Sequence, residues 1–237
     1  MFEPKTIVRF AVTVTVIYAV LTWMWQWSPF ERGYSSYFRM MGNSAFSQFW
    51  FWPEAKVRFL DAEAPGLIDR INSVLPGKLP PGFEPPRAQG VRDTMLVLMN
   101  REVPEVPGLL RTSSRIIGYT PTAVMFALAL GTPVAWKRRG WVLVWGMFLV
   151  HVFILVRLTV LILNGGFADG AKRYALFRPG PFMTNVLDRV DVVLCDDPTF
   201  SYLVSGVLWV LVLIGFEIWT SFRARRAKVP AVRSNRR

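Results

Sequence analysis

A nearly unbroken apolar run, WVLVWGMFLVHVFILVRLTVLIL, extends from Trp141 to Leu163. A helix needs about 20 apolar residues to cross a bilayer, so this run is long enough to span one. It contains His151, the only histidine in the chain, and Arg157. A cation in hydrocarbon costs about 2.5 to 3.5 kcal/mol even on lenient scales. We therefore predict a membrane protein in which Arg157 faces a protein interior or a wet cavity, with the functional residues gathered around this helix.

The other apolar residues of the chain also come in blocks. Together they predict four membrane spans, at residues 7–27, 116–135, 141–163 and 201–219. The first span is too long for a cleaved signal peptide and ends in tryptophans, so we predict a retained anchor. The predicted fold class is a membrane all-α bundle of four transmembrane helices with a small extracytoplasmic β-containing (α+β) domain.

The distribution of basic residues predicts the topology. The formal net charge is +12, and the cations concentrate before the first span, at residues 137–139 and after the fourth span. These places lie on one side of a four-span protein, which the positive-inside rule assigns to the cytoplasm. We predict a bacterial cell inner (cytoplasmic) membrane protein with both termini cytoplasmic. Its parts are an N-terminal anchor (1–27), an extracytoplasmic domain (28–115), a transmembrane hairpin (116–163), an extracytoplasmic loop (164–200), a fourth transmembrane helix (201–221) and a basic cytoplasmic tail (222–237).

The partner of the basic tail is predicted from its composition. No aromatic residues interleave with its arginines, which argues against nucleic acid and favours the anionic headgroups of the lipid bilayer. Glu217 and Arg9 lie near the cytoplasmic ends of their spans, and we expect them to form an ion pair.

Elements outside the membrane follow from local patterns. Residues 56–62 and 93–101 predict strands, and residues 67–75 predict a short helix between them. Residues 75–87 form a Pro/Gly-rich loop, and residues 103–108 form an extended linker. The aromatic segment 28–52 is either an amphipathic helix on the outer leaflet or a helix packed on the domain that follows. Residues 182–194 predict a second amphipathic helix.

Three features converge at the predicted outer face. RTSSR, with Arg111, Ser113 and Arg115, directly precedes the second span, and Arg157 lies about 24 Å along the third. The outer loop supplies carboxylates. Such a cluster either grips an anionic group, such as a phosphate or a peptide carboxylate, or docks the loop through internal salt bridges. The carboxylates are Asp169, Asp188, Asp191, Asp196 and Asp197.

The single histidine and the single cysteine are weaker candidates. His151 lies about 15 Å along its span and about 120° around the helix from Arg157, so the two are not expected to share a ligand. It either hydrogen-bonds a neighbouring helix or takes part in proton chemistry. Cys195 cannot form an intrachain disulfide, and the aspartates beside it disfavour a thiolate, so we predict a structural cysteine. The chain lacks the common catalytic motifs, and no metal or cofactor is predicted.

Residues 111–163 resemble the core of the exosortase/archaeosortase family of membrane transpeptidases. The resemblance rests on RTSSR, then TPVAWKRRGW at the cytoplasmic turn, then HVFILVRLTVLIL. It implies that Arg157 matches the family's arginine. The family's cysteine is expected near Arg111 or Thr112, where none is present, Ile154 stands in place of an asparagine, and the late histidine is absent.

The resemblance and these departures define the expected function. We expect an accessory component of an exosortase-like envelope protein-sorting or surface-assembly system, without a catalytic role and with a membrane protein as partner. The alternatives are an active transpeptidase-like enzyme that uses Arg157 with Thr112, Ser113 or Ser114, and a structural subunit of a larger membrane complex.

Overall fold

A computed structural model of the chain describes residues 3–47, 54–75, 79, 93–100, 107–167 and 179–227. The described part is mostly helical, with a small antiparallel sheet. The elements are α1 (Pro4–Trp25), α2 (Ser28–Phe46), β1 (Ala55–Asp61), α3 (Leu67–Val74), β2 (Thr94–Asn100), β3 (Gly108–Thr112), α4 (Thr120–Gly131), α5 (Trp136–Ile162), α6 (Pro181–Asp191) and α7 (Pro198–Ala227). Three π-helical turns accompany them, which we number in chain order: Arg115–Tyr119, Leu163–Phe167 and Val192–Asp196.

Three helical segments are long and apolar enough to cross a membrane. They are Pro4–Trp25, Trp136–Gly165 and Thr199–Ser221. The predicted span at 116–135 is a shorter apolar helix, Arg115–Gly131, because the chain leaves the helix at Thr132 and Pro133. Three of the four predicted spans therefore reach membrane length by themselves, which indicates a membrane protein.

Helix α4 lies at the centre of the bundle and packs on α1, α5 and α7. Its buried positions are mostly small, which lets the neighbouring helices approach closely. A Cβ on Gly131 would lie 2.5 Å from the Val14 side chain of α1. Apolar side chains on the outer faces of α1, α5 and α7 are exposed, as expected for lipid-facing positions: Val8, Val12, Val16, Val144, Phe148, Val152, Val207, Leu211 and Ile218.

At the N-terminal end of α5, Arg138 makes a polar contact with α7. Arg138 forms an ion pair with Glu217 and lies over the Phe216 ring at 4.9 Å. The predicted pair between Glu217 and Arg9 is therefore wrong. Arg138 lies in the first turn of α5, beside α7, and it reaches the carboxylate instead.

The sheet has the strand order β1-β2-β3, with β2 in the centre. All seven residues of β2 are buried, because one face packs on α2 and α5 and the other on α3. The predicted strands at 56–62 and 93–101 and the predicted helix at 67–75 are confirmed. Strand β3 was not predicted; it pairs Leu110 with Leu96 of β2. The predicted loop at 75–87 and the linker at 103–108 lie almost entirely outside the described residues.

Helix α2 packs on the domain formed by β1, β2, β3 and α3, which we call the outer domain after its predicted location. This packing confirms one of the two placements predicted for the helix. Its buried face includes Phe38 and Gly42, and a Cβ on Gly42 would lie 2.7 Å from the Phe59 ring of β1. The Asn43 amide accepts a hydrogen bond from Phe59 N at 2.9 Å and donates to Phe59 O at 3.0 Å. This side chain therefore completes the backbone pairing at the edge of the sheet.

Helix α2 also reaches the membrane bundle. The Tyr34 hydroxyl lies 3.3 Å from the Thr122 hydroxyl of α4, and burial raises the pKa of Tyr34 well above its usual value. The outer domain and the bundle thus share a hydrophobic core, in which Phe38 and Phe59 meet Ile154 and Leu158.

The second predicted amphipathic helix, at 182–194, is confirmed as α6 followed by the third π-turn. Helix α6 has no buried residue, and Phe182, Met183 and Val186 are exposed on it. The predicted tail at 222–237 lies outside the residues whose side chains are described.

Candidate functional site

Arg157 is completely buried where α5, α7 and two π-turns meet. Its Nη1 donates to the Ser201 hydroxyl at 2.7 Å and to the carbonyls of Ile116 at 3.3 Å and Ile117 at 3.5 Å. Its Nη2 donates to the Cys195 carbonyl at 3.4 Å. The sequence predicts that Arg157 faces a protein interior or a wet cavity, and its complete burial confirms the protein interior. We call this arrangement the arginine node.

Cys195 contributes more than its carbonyl to the arginine node. Its thiol donates to the Arg157 carbonyl at 3.5 Å. Cys195 is itself buried. The guanidinium also lies over the Phe153 ring at 5.6 Å, which adds a cation–π contact.

The π-turns explain why so many carbonyls point at one cation. A π-turn bonds each carbonyl to the N–H five residues later, and it widens the helix locally. Ile116 and Ile117 lie in the first π-turn, and Cys195 lies in the third. Such turns often mark functional positions in helices. Here they direct backbone dipoles toward the guanidinium.

The outer aspartates that the structure describes do not neutralise Arg157. Asp191 accepts a hydrogen bond from Asn164 at 2.9 Å, and Asp197 accepts one from the Thr199 N–H at 2.8 Å. The ion pairs found among the described residues do not include Asp188 or Arg157. Neutral dipoles therefore stabilise the charge of the arginine node within the described part of the chain. Asp169 and the Asp196 side chain lie outside the described residues.

The RTSSR residues, 111–115, lead into the first π-turn and α4. The hydrogen bonds described for Arg157 do not include their side chains. Arg111 belongs to β3 and pairs with Met95, and its buried Nε has no hydrogen-bond partner among the described residues. Arg115 is half-buried in the first π-turn. The buried Ser113 hydroxyl accepts a hydrogen bond from the Ile116 N–H at 3.3 Å.

An unpredicted carboxylate caps this helix. Asp93 Oδ1 accepts a hydrogen bond from Ser114 N at 2.8 Å, and its Oδ2 accepts one from the Ser114 hydroxyl at 2.6 Å. The Ser35 hydroxyl lies 2.9 Å from the same Ser114 oxygen. A carboxylate at a helix N-terminus stabilises the helix by capping and by its interaction with the helix dipole. The Ser114 hydroxyl is thereby held in a structural contact.

His151 is separate from the arginine node, as its position on the helix predicts. Its Nδ1 lies 2.7 Å from the Met147 carbonyl, one turn earlier in α5. Its ring meets Tyr37 of α2 edge to face at 5.9 Å. The neighbouring helix is therefore contacted by the ring, and the hydrogen bond is made within α5.

A polar groove on the outer domain was not predicted from the sequence. It has a volume of about 780 Å³ and lies between α2, β1 and α3. Among the described residues, Asp61 is the one carboxylate that lines it, and this group pairs with Arg39 at 3.1 Å. We call it the outer groove. The charged and polar residues that line it are Ser36, Arg39, Asn43, Ser44, Ser47, Lys56, Arg58, Asp61 and Arg70.

The local signal for the outer groove is the alternation in β1. Lys56 and Arg58 alternate with the buried Val57 and Phe59, so they lie on the opposite face of the strand. The other cations come from α2 and α3, and only the tertiary fold brings them together. Among the described residues, no group of three or more His, Cys, Asp or Glu side chains is placed to hold a metal ion.

Comparisons of this chain with protein-family models, with curated proteins and with solved structures find no match.

Proposed function

We propose that this chain is a four-span inner-membrane protein that acts as a non-enzymatic accessory component of an exosortase-like envelope protein-sorting or surface-assembly system. Three membrane-length helices support the membrane location. The fourth span would be Arg115–Gly131, which packs inside the bundle and is completed by the turn at Thr132 and Pro133. The basic residues near Arg9 and at 137–139 favour the cytoplasm for that end.

The closed arginine node is the observation that carries the non-enzymatic assignment. Arg157, which the resemblance aligns with the family's arginine, is completely buried, and its Nη1 and Nη2 donate to backbone carbonyls and to Ser201. Its Nε has no hydrogen-bond partner among the described residues. The Ser113 hydroxyl bonds to the backbone, and the Ser114 hydroxyl bonds to Asp93. These contacts hold Arg157, Ser113 and Ser114 within the packing of the fold, which favours a structural role for them.

The outer groove supports a role in holding a client. Its lining runs along α2 from Ser36 to Ser47, about 16 Å at 1.5 Å per residue. An extended peptide rises about 3.3 Å per residue, so about five client residues fit this length. Four cations face one paired carboxylate, which favours an acidic segment. The cations are Arg39, Lys56, Arg58 and Arg70.

Two measurements test the proposal. In the native membrane, crosslinking from Ser44→p-benzoylphenylalanine, at the rim of the outer groove, should capture a client or a sortase-like enzyme identified by mass spectrometry. In solution, the purified chain should bind an acidic pentapeptide and not its Gln/Asn counterpart. Binding should weaken in the double variant Arg58→Gln, Arg70→Gln. It should persist in Arg32→Gln, because Arg32 is an exposed residue of α2 whose side chain bonds to Ser28 and does not line the groove. Equal binding of both peptides would contradict the client-holding role.

The alternative of a transpeptidase-like enzyme is favoured by one contact. A guanidinium beside a cysteine is an arrangement that activates thiol nucleophiles, and Arg157 lies against Cys195. The burial of the thiol and its hydrogen bond to the Arg157 carbonyl oppose attack on a substrate. A covalent adduct between Cys195 and a client peptide, absent in Cys195→Ser, would establish the enzyme and exclude the accessory role.

A further inference from the structure

A basic cleft opens at the end of the bundle opposite the arginine node. It has a volume of about 430 Å³ and lies between the start of α1, the end of α4 and the start of α5. Three cations line it, and no carboxylate does. We call it the basic cleft; its polar and turn residues are Lys5, Thr6, Arg9, Thr13, Pro133 and Arg139.

The cations of the basic cleft are not neutralised by the described protein. Arg139 donates through Nε to the Thr132 carbonyl at 3.0 Å, which fixes the side chain without neutralising its charge. Lys5 and Arg9 are exposed, and the ion pairs of the described residues do not include either. Among the described residues, two acids lie near this end of the bundle: Glu217 is paired with Arg138, and Glu3, at the N-cap of α1, does not line the cleft. The cleft therefore keeps three positive charges close together.

An apolar cleft adjoins the basic cleft. It has a volume of about 630 Å³, and the two share Thr6, Phe10 and Pro133 as lining residues. Phe10 stacks on Trp209 of α7 with the ring centroids 5.5 Å apart, so this pair forms part of the cleft wall. We call it the apolar cleft; its apolar lining includes Ile7, Phe10, Val134, Trp209, Leu213 and Ile214.

The apolar cleft lies between helices of membrane length, and this position favours an acyl chain as its ligand. Two of its walls belong to α1 and α7, helices long and apolar enough to cross a membrane, and the α4–α5 turn with Arg138 forms the rest. Water gains few hydrogen bonds against such walls, whereas an acyl chain from the surrounding bilayer matches them. Basic pockets between transmembrane helices are typical sites for anionic lipid headgroups. A single phospholipid has both parts, a phosphate and an acyl chain.

We propose that these two clefts form one binding site for an anionic phospholipid. The phosphate is bound by Lys5, Arg9 and Arg139, and an acyl chain lies along the apolar cleft past Phe10 and Leu213. The proposal depends on the membrane location of the chain and is independent of its role in protein sorting. Because the α4–α5 turn lines both clefts, the lipid joins this turn to α1 and α7 and stabilises the packing at this end of the bundle.

The experiment compares ligands that separate the two parts of the lipid. The full chain is purified in a mild detergent, and its thermal unfolding is followed with added phosphatidylglycerol, with phosphatidylcholine of the same acyl chains, and with inorganic phosphate. We expect phosphatidylglycerol to raise the midpoint temperature of unfolding in proportion to the logarithm of the lipid concentration, because the lipid binds the folded state. Phosphatidylcholine and inorganic phosphate should leave the midpoint unchanged.

Variants then locate the site. Lys5→Gln with Arg9→Gln removes two cations that have no ion pair among the described residues, so the fold should persist. Its affinity for phosphatidylglycerol, measured by native mass spectrometry, should fall roughly 25-fold, about fivefold for each cation. The matched control, Arg58→Gln with Arg70→Gln, changes the same number of charges in the outer groove and should keep the wild-type affinity.

Three outcomes would overturn the proposal. Equal stabilisation by the two phospholipids would remove the role of the cations. Stabilisation by inorganic phosphate equal to that by phosphatidylglycerol would reduce the site to an anion site without an acyl chain. Unchanged affinity in the Lys5 and Arg9 double variant would place the lipid elsewhere.

Discussion

Arg157 and Cys195 exchange hydrogen bonds across the outer end of the bundle. The guanidinium donates to the Cys195 carbonyl at 3.4 Å, and the thiol donates to the Arg157 carbonyl at 3.5 Å. This reciprocal pair joins α5 to the third π-turn just before α7 begins. It connects the only cysteine of the chain with a completely buried arginine.

Replacement of Arg157 should destabilise the protein through the groups left behind. In Arg157→Leu the carbonyls of Ile116, Ile117 and Cys195 lose a donor inside the protein, and each unsatisfied buried group costs about 1 to 3 kcal/mol. We expect a loss of about 3 kcal/mol or more in detergent, measured by thermal unfolding. Arg157→Lys keeps a cation and some hydrogen-bond donors, so its loss of stability should be smaller. Wild-type stability in both variants would show that the arginine node does not stabilise the protein.

The Cys195 thiol should be protected in the folded protein. It is 7% exposed and engaged in the arginine node, so iodoacetamide should modify it slowly in the native state and rapidly after unfolding. Cys195→Ser should keep any complex that the wild type forms. Rapid modification of the native thiol near neutral pH, together with loss of function in Cys195→Ser, would favour the transpeptidase alternative.

Two glycines of α2 should respond in opposite directions to alanine. A Cβ on Gly42 would lie 2.7 Å from the Phe59 ring, so Gly42→Ala should destabilise the outer domain by about 1 to 3 kcal/mol. Nothing lies within 4 Å of a Cβ on Gly33. Gly33→Ala should therefore stabilise the helix by about 0.5 to 1 kcal/mol. Thermal unfolding of both variants measures the difference, and an equal effect would contradict the packing of α2 on β1.

Topology can be tested with single cysteines in a Cys195→Ser background. Ser44 and Lys137 are both exposed, one on the outer domain and one in the first turn of α5. A membrane-impermeant maleimide added to intact spheroplasts should label Ser44→Cys and spare Lys137→Cys until the membrane is opened. The reverse pattern would invert the orientation that the basic residues predict.

Local patterns in the sequence were sufficient for most elements. Strand β1 follows from the alternation of apolar residues at Val57 and Phe59, strand β2 from a short apolar run, and α6 from its apolar face. Strand β3 was missed because five residues beginning with Gly108 carry little signal alone, and the strand depends on its pairing with β2. The shortness of Arg115–Gly131 was missed because Val134 and Ala135 continue the apolar composition past the end of the helix.

The site was predictable only in part. The depth and charge of Arg157 were enough to predict that it is buried and bonded. Its actual acceptors depend on π-turns, for which the sequence gives no clear periodicity. Glu217 and Arg9 lie at the same end of their spans, yet Arg138 takes the carboxylate because α5 packs beside α7. Depth along a span does not determine which helices are neighbours.

The arginine node also sets an order for biogenesis. Cys195 and Ser201 follow Arg157 by 38 and 44 residues, so a ribosome completes α5 before either group exists. During that interval the nascent chain carries a cation near the membrane with half of its acceptors still to be synthesised. We expect the bundle to close only when α7 enters the bilayer, so a chain truncated before Cys195 should remain a substrate for membrane proteases.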